Sequence, residues 1–301
     1  MEIQRIGIVG FGEVGRIFAA GLRERGLTDI AVWDLKFDDP ARRDEPLAHA
    51  RSIGIEAAAS VQALCQGREL ILSAVTASNT LAVAAAVAPA IEAGAFFLDL
   101  NSASPGTKQQ AAALIDQAGA HCVEAGVMTS VPPHGMRVPM LLGGAAAHRL
   151  RPVLAAWGMD ATVVSDRIGV ASATKMCRSV MIKGLEALVI ESYATARHYG
   201  VADAMIATLQ ETFPGIDWTK QGAYFFSRVA QHGQRRAEEM REVARTVAEA
   251  GFEPLMARAI ADKQQWVADQ SASGLFRDLP PAPDWAAFAD RLLAARPLRP
   301  D

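Results

Sequence analysis

The run Ile6-Gly7-Ile8-Val9-Gly10-Phe11-Gly12-Glu13-Val14-Gly15 decides the fold. Ile6 to Val9 shows no polar–apolar alternation, the mark of a strand buried on both faces, as in a parallel sheet. The glycines that follow have the spacing Gly-x-Gly-x-x-Gly. Gly10 permits a tight turn, Gly12 lets backbone approach a pyrophosphate, and Gly15 lets the next helix pack closely on the strand. The N-terminal amides of that helix then face the phosphates. The spacing alone is weak; between a strand and a helix it reads as a dinucleotide-binding turn. Gly10, Phe11, Gly12, Glu13, Val14 and Gly15 are therefore the first candidate cofactor contacts. Asp34, at the end of the next strand-like run, is placed to accept hydrogen bonds from ribose hydroxyls, which favours NAD over NADP because a carboxylate repels a 2′-phosphate. Lys36, Arg42 and Arg43 follow closely; they read either as a solvated loop or as cations leaning toward NADP.

Working outward, Ile30–Trp33, Leu70–Val75 and Phe96–Asp99 are further strand-like runs, with His121–Glu124, Met140–Leu142 and Thr162–Val164 as later ones. Helical patterns lie between them at Val14–Arg25, Pro46–Ile53, Thr80–Ala93 and Gly106–Ala118, an alternation that implies a mostly parallel sheet covered by helices. After about residue 165 strand signals nearly vanish. Ala171–Tyr199 is one long helical pattern of about 29 residues, roughly 40 Å at ~1.5 Å per residue. Helices are expected at Ala202–Thr212, Thr219–Ala230, Gln234–Ala250, Pro254–Ala268 and Trp285–Ala295. The fold class is thus an α/β Rossmann-like N-terminal domain, residues 1–165, followed by an all-α C-terminal domain, residues 166–301.

Composition narrows the function classes. The chain has 301 residues, 50% hydrophobic, 6% aromatic and 21% charged, with 30 Lys and Arg against 33 Asp and Glu and a net charge of −3. This is ordinary for a globular protein and gives no electrostatic case for nucleic acid or an anionic membrane. Apolar runs fall far short of the ~20 residues a membrane span needs. Cys65, Cys122 and Cys177 are far apart without a Cys-x-x-Cys pair, so reduced thiols are expected and no metal site, consistent with a cytoplasmic protein. The long helix leads us to expect a homodimer.

Five further segments carry a family resemblance. Val75-Thr76 follows one strand; Asp99-Leu100-Asn101-Ser102-Ala103-Ser104-Pro105 follows the next. Glu124-Ala125-Gly126-Val127-Met128-Thr129-Ser130 comes later, followed by Pro139-Met140-Leu141-Leu142-Gly143-Gly144. Gly169-Val170-Ala171-Ser172-Ala173-Thr174-Lys175-Met176-Cys177-Arg178-Ser179 opens the long helix. In this order, over roughly residues 5 to 200, they resemble the β-hydroxyacid dehydrogenase superfamily, which includes 6-phosphogluconate and 3-hydroxyisobutyrate dehydrogenases. The helical half is similar to the subgroup with a DUF1932-type C-terminal domain. The resemblance implies that Val75, Thr76 and Asn101 meet the cofactor and that Asn101, Ser102, Met128, Thr129, Ser130 and Ser179 meet the substrate. Met128, Thr129 and Ser130 replace the family's Ser-Gly-Gly; Thr129 and Ser130 keep hydrogen-bond donors, while Met128 implies a more apolar small-molecule substrate, and Ser179 replaces the family's Asn with the loss of one amide contact. Ser104 also reads as the N-cap of a helix with Pro105 in its first turn.

Lys175 aligns with the family's catalytic lysine. An ammonium has three donors to hold an alcohol oxygen, and burial can lower its pKa until it accepts a proton. The implied activity is NAD(P)-dependent hydride transfer between nicotinamide and a small hydroxy acid or related alcohol, with Lys175 as general acid/base. An imine or semialdehyde reductase of the same architecture and a non-catalytic NAD(P)-binding sensor are the alternatives. Lys183 and Glu186 read either as cleft-lining groups or as a solvated face. The position seven after the lysine, where 6-phosphogluconate dehydrogenase has an acid glutamate, is Ile182. His134 reads as a loop bystander, and Trp218, Tyr224, Phe225 and Phe226 as core or pocket wall.

Overall fold

The computed structural model describes residues 2–295. It divides into two compact units between Met176 and Cys177. The division falls inside the long helix, so the first turns of that helix, Lys175 included, go with the first unit.

The first unit is built on an eight-stranded sheet in the order β3-β2-β1-β4-β5-β6-β7-β8. Its strands are β1 (Arg5–Val9), β2 (Asp29–Trp33), β3 (Glu56–Ala57), β4 (Leu70–Ser73), β5 (Phe96–Asp99), β6 (His121–Val127), β7 (Met140–Gly143) and β8 (Ala161–Ser165). All neighbours are parallel except β6 and β7, which run antiparallel. The connecting helices are α1 (Glu13–Glu24), α2 (Asp44–Ser52), α3 (Val61–Cys65), α4 (Thr80–Val87), α5 (Pro105–Gln117) and α6 (Ala147–Ala156). The missing alternation in the sequence has a direct cause. Ile8, Leu72 and Leu98 enter the core on one face while Ala31, Ile71 and Phe97 enter the core on the other, and all six are buried. Strand order reverses between β2-β1 and β4-β5, which opens a crevice outside the carboxyl ends of β1 and β4, the usual ligand position in an open α/β sheet.

The helix α7 (Val170–His198) begins in the first unit and continues into the second, with α8 (Ala202–Thr212), α9 (Trp218–Glu249), α10 (Leu255–Ala272) and α11 (Trp285–Ala294). The second unit's core is rich in aromatic side chains: Tyr193, Trp218, Phe225, Phe226, Trp285 and Phe288 are buried, with Phe226 stacked on Phe288 at 5.9 Å. Core packing therefore accounts for the Trp218–Phe226 cluster, except Tyr224, which is 53% exposed. No described helix is long and apolar enough to cross a membrane.

Two expectations need correction, and three elements carried no expectation. The two helices expected at Thr219–Ala230 and Gln234–Ala250 are one, α9, running through Gly233. A Cβ there would lie 2.7 Å from the Gln264 carbonyl oxygen, so Gly233 lets α10 pack closely instead of breaking the helix. The short strand β3 and the helices α3 and α6 gave no usable periodicity, the last because Pro152 interrupts its pattern. Finally, Lys183 and Glu186 are not on a solvated face. Both are buried in the second unit, where α9 supplies Glu239, 2.6 Å from Lys183, and Arg236, whose Nε and Nη2 donate to the two oxygens of Glu186. Unpaired charges would be costly there, and these partners compensate them.

Candidate functional site

Two of the three glycines in the turn occupy positions that a side chain would not fit. Gly10 lies at φ +93°, and a Cβ on it would sit 2.4 Å from the Ala74 carbonyl oxygen. A Cβ on Gly15 would come within 1.9 Å of the Gly10 carbonyl, so only glycine lets α1 start so close to β1. Gly12 is different: nothing lies within 4 Å of the position its Cβ would take. That opening lies at the amino end of α1 and fits a pyrophosphate approached by backbone amides. Glu13 is exposed and Val14 half-buried at the same end. Phe11 is fully buried against Phe37 and His49, so its part in the turn is carried by its backbone.

Asp34 is tied to that turn. Its Oδ2 accepts from the Phe11 amide at 2.7 Å and its Oδ1 from the Lys36 amide at 2.9 Å. A carboxylate offers about four lone-pair positions, so two remain for further donors. The flanking arginines are engaged with acids, Arg42 with Asp39 at 2.5 Å and Arg43 with Asp44 at 3.9 Å.

Across the crevice, the loops after β4 and β5 are joined by Asn101. Its Oδ1 accepts from the Val75 amide at 2.7 Å and its Nδ2 donates to Ser73 Oγ at 2.9 Å. Its own amide donates to Asp99 Oδ1 at 2.9 Å. Asp99 is fully buried and paired with an equally buried Lys108 at 2.8 Å, and the Lys108 ammonium also donates to the Asp99 carbonyl at 3.0 Å. Removing either charge would strand the other in a dry interior. Thr76 is exposed on the β4 loop. Ser104 caps α5, its Oγ accepting from the Thr107 amide at 3.3 Å with Pro105 in the first turn. These bonds hold Ser102, next in sequence to Asn101, at the carboxyl end of β5.

The start of α7 is fixed as tightly. Buried Glu124 on β6 accepts from the amides of Gly169 at 2.7 Å, Ala171 at 3.0 Å and Ser172 at 3.3 Å. These are donors a helix leaves unsatisfied at its first turn. Gly126 completes the fit: a Cβ there would lie 2.9 Å from the Ala171 carbonyl oxygen and 3.7 Å from Lys175 Cβ. Lys175 is half-buried, and its Nζ donates to Ser102 Oγ. The structure therefore brings together Asn101, Ser102 and Lys175 within the first unit. Met128 and Ser130 are half-buried and Thr129 exposed just beyond β6, where the Met128 amide donates to the Pro139 carbonyl at 2.9 Å. Ser179 belongs to the second unit and is buried there. His134 is exposed on the loop between β6 and β7.

Ser73, Lys108 and the helix-holding role of Glu124 escaped the sequence reading. Glu124 gave a signal, since an acid inside an otherwise apolar strand must find donors. Lys108 gave none, because a lysine on an amphipathic helix reads as a surface group.

Residues 5–167 match the NAD binding domain of 6-phosphogluconate dehydrogenase, and residues 196–267 match a domain of unknown function, DUF1932. A conserved hypothetical protein from Sinorhizobium meliloti 1021 is 37% identical, covers 97% of this chain and 96% of its own, and superposes with a TM-score of 0.79. A conserved protein reported as structurally similar to 3-hydroxyacid dehydrogenases is 28% identical over 89% of this chain and 99% of its own, with a TM-score of 0.69. Mycobacterium tuberculosis 3-hydroxyisobutyrate dehydrogenase, at 17% identity, shares the fold over 97% of this chain and 99% of its own, with a TM-score of 0.73. Glycine-rich turn, hydroxyacid dehydrogenase-like fold and matched domains agree: the chain belongs to the family built on the NAD-binding domain of 6-phosphogluconate dehydrogenase, with a DUF1932 segment in its helical half.

Proposed function

We propose that this protein is an NAD(P)-dependent oxidoreductase, NAD favoured, acting on the CH–OH group of a small hydroxy acid or related alcohol, with Lys175 as general acid/base. The observation that carries the reading is the hydrogen bond from Lys175 Nζ to Ser102 Oγ, made by two side chains from separate segments at the carboxyl end of the sheet. Bound along the crevice, the nicotinamide would supply the hydride acceptor. In oxidation Lys175 as the neutral amine takes the hydroxyl proton and becomes the ammonium, and in reduction the ammonium returns it. Ser102 holds the ammonium and offers a second polar atom to the alcohol oxygen. The second N–H of the Asn101 amide is left for a ligand, its first being on Ser73. Thr129 and Ser130 receive the acidic end of the substrate, with Met128 beside them.

The same reading includes a homodimer. Met181 and Leu188 on α7 are 74% and 57% exposed, and Leu188, Ser192 and Thr195 line a groove of about 430 Å³. Exposed apolar side chains such as Met181 and Leu188 favour a covering partner. Light scattering on the full chain should give twice the chain mass.

The activity is tested by incubating the protein with NAD or NADP and a panel of small hydroxy acids and following the reduced-nicotinamide band. Turnover of a hydroxy acid supports the reading. Reduction of imines or semialdehydes alone, or cofactor binding without any turnover, overturns it.

A further inference from the structure

Asp34 and Arg16 are anchored to the same residue of the glycine-rich turn. Asp34 Oδ2 accepts from the Phe11 amide at 2.7 Å, and Arg16 Nε donates to the Phe11 carbonyl at 3.1 Å. The guanidinium carbon stands 5.4 Å from the centroid of the Phe11 ring, and the Arg16 side chain is three-quarters buried. A cation and the carboxylate that would meet the ribose are therefore held by the backbone of one residue. The two terminal nitrogens of Arg16 are both taken: Nη1 and Nη2 donate to the two oxygens of Glu45, on the first turn of α2, at 2.6 Å each.

We propose that Glu45 is a cofactor-selectivity residue: it occupies the planar fork of Arg16 and so denies a 2′-phosphate the group that would grip it. This rests on the reading that the crevice takes a nicotinamide dinucleotide with NAD favoured. An arginine binds carboxylate and phosphate with the same two parallel N–H bonds, so a carboxylate already seated there excludes the phosphate. Most exposed ion pairs contribute little. This one has paired, short bonds and one partner fixed by burial, by the ring of Phe11 and by a third bond. The pair holds the Glu45 carboxyl below its ordinary range and the Arg16 guanidinium above its own, chiefly through the hydrogen bonds between them. An incoming 2′-phosphate thus meets two carboxylates, Asp34 and Glu45. An unsubstituted ribose meets the remaining lone pairs of Asp34.

The test is a binding measurement on the full-length protein, with Kd for NADH and for NADPH determined by nicotinamide fluorescence. It compares wild type, Glu45→Gln and the double variant Glu45→Gln/Arg16→Gln. Glu45 is largely exposed, so melting temperatures should confirm that all three fold. In wild type NADH should bind the more tightly. In Glu45→Gln the ratio of the NADPH Kd to the NADH Kd should fall by roughly tenfold, the value of one freed charge-assisted contact. Adding Arg16→Gln should restore the ratio. A ratio unmoved by Glu45→Gln, or a fall that persists without Arg16, overturns the selectivity role while leaving the NAD reading intact. A wild type that holds NADPH more tightly overturns both.

Discussion

The carboxylate of Glu124 accepts the backbone N–H of Ala171 at 3.0 Å, so a strand of the sheet holds the first turn of the helix that carries Lys175. The same carboxylate takes the amides of Gly169 and Ser172, and Gly143 leaves the room it occupies, since a Cβ there would lie 2.6 Å from Glu124 Oε1. Glu124→Ala should destabilise the protein by roughly 3–5 kcal/mol, because buried amides lose a charged acceptor together. Glu124→Gln keeps an acceptor and should lose about half as much. Urea denaturation followed by circular dichroism measures both; a loss below about 1 kcal/mol for the alanine variant would show that the contact holds nothing in place.

The glycines of the turn should separate into two kinds. Gly12 faces open space, so Gly12→Ala should melt within a few degrees of wild type yet bind NADH at least tenfold more weakly, its methyl filling the approach to the pyrophosphate. Gly15 faces the Gly10 carbonyl at 1.9 Å, so Gly15→Ala should lower the melting temperature itself. Equal thermal effects at the two positions would contradict this division.

Tyr193 provides a pH-dependent marker for the second unit. It is fully buried, its hydroxyl donates to the Trp218 carbonyl at 3.0 Å, and burial pushes its pKa up to about 12. The folded state thus prefers the neutral phenol more than the unfolded chain does, whose tyrosines ionise near the ordinary value of 10.0. The resulting stability is fully present below about pH 10 and is lost as pH rises toward 12. Phenolate absorbance should show a late component near pH 12 that accompanies loss of helical signal and disappears in Tyr193→Phe. An unchanged titration in that variant would contradict the assignment.

Much of this molecule was legible in the chain because the strongest signals are local. Buried strands such as Ile6–Val9 announce themselves by continuous apolarity, and the Gly10–Gly15 turn by its spacing. The Ser104–Pro105 helix start is visible for the same reason. What stayed hidden depends on partners distant in sequence. Lys183 reads equally as cleft-lining or solvated until Glu239 comes within 2.6 Å of it, and Gly233 falls between two expected helices until α10 packs against it. At the site, Lys175 and Ser102 were each named separately. The bond between them depends on Glu124 and Gly126, whose roles appear only once β6 lies beside α7.

The central claim is that Lys175 carries the proton in hydride transfer, and steady-state kinetics of Lys175→Ala test it most directly, with NADH affinity measured on the same preparation. The account predicts that kcat falls by roughly 10²–10⁴ while the Kd for NADH changes by less than about threefold. A variant whose kcat stays within about tenfold of wild type would contradict it.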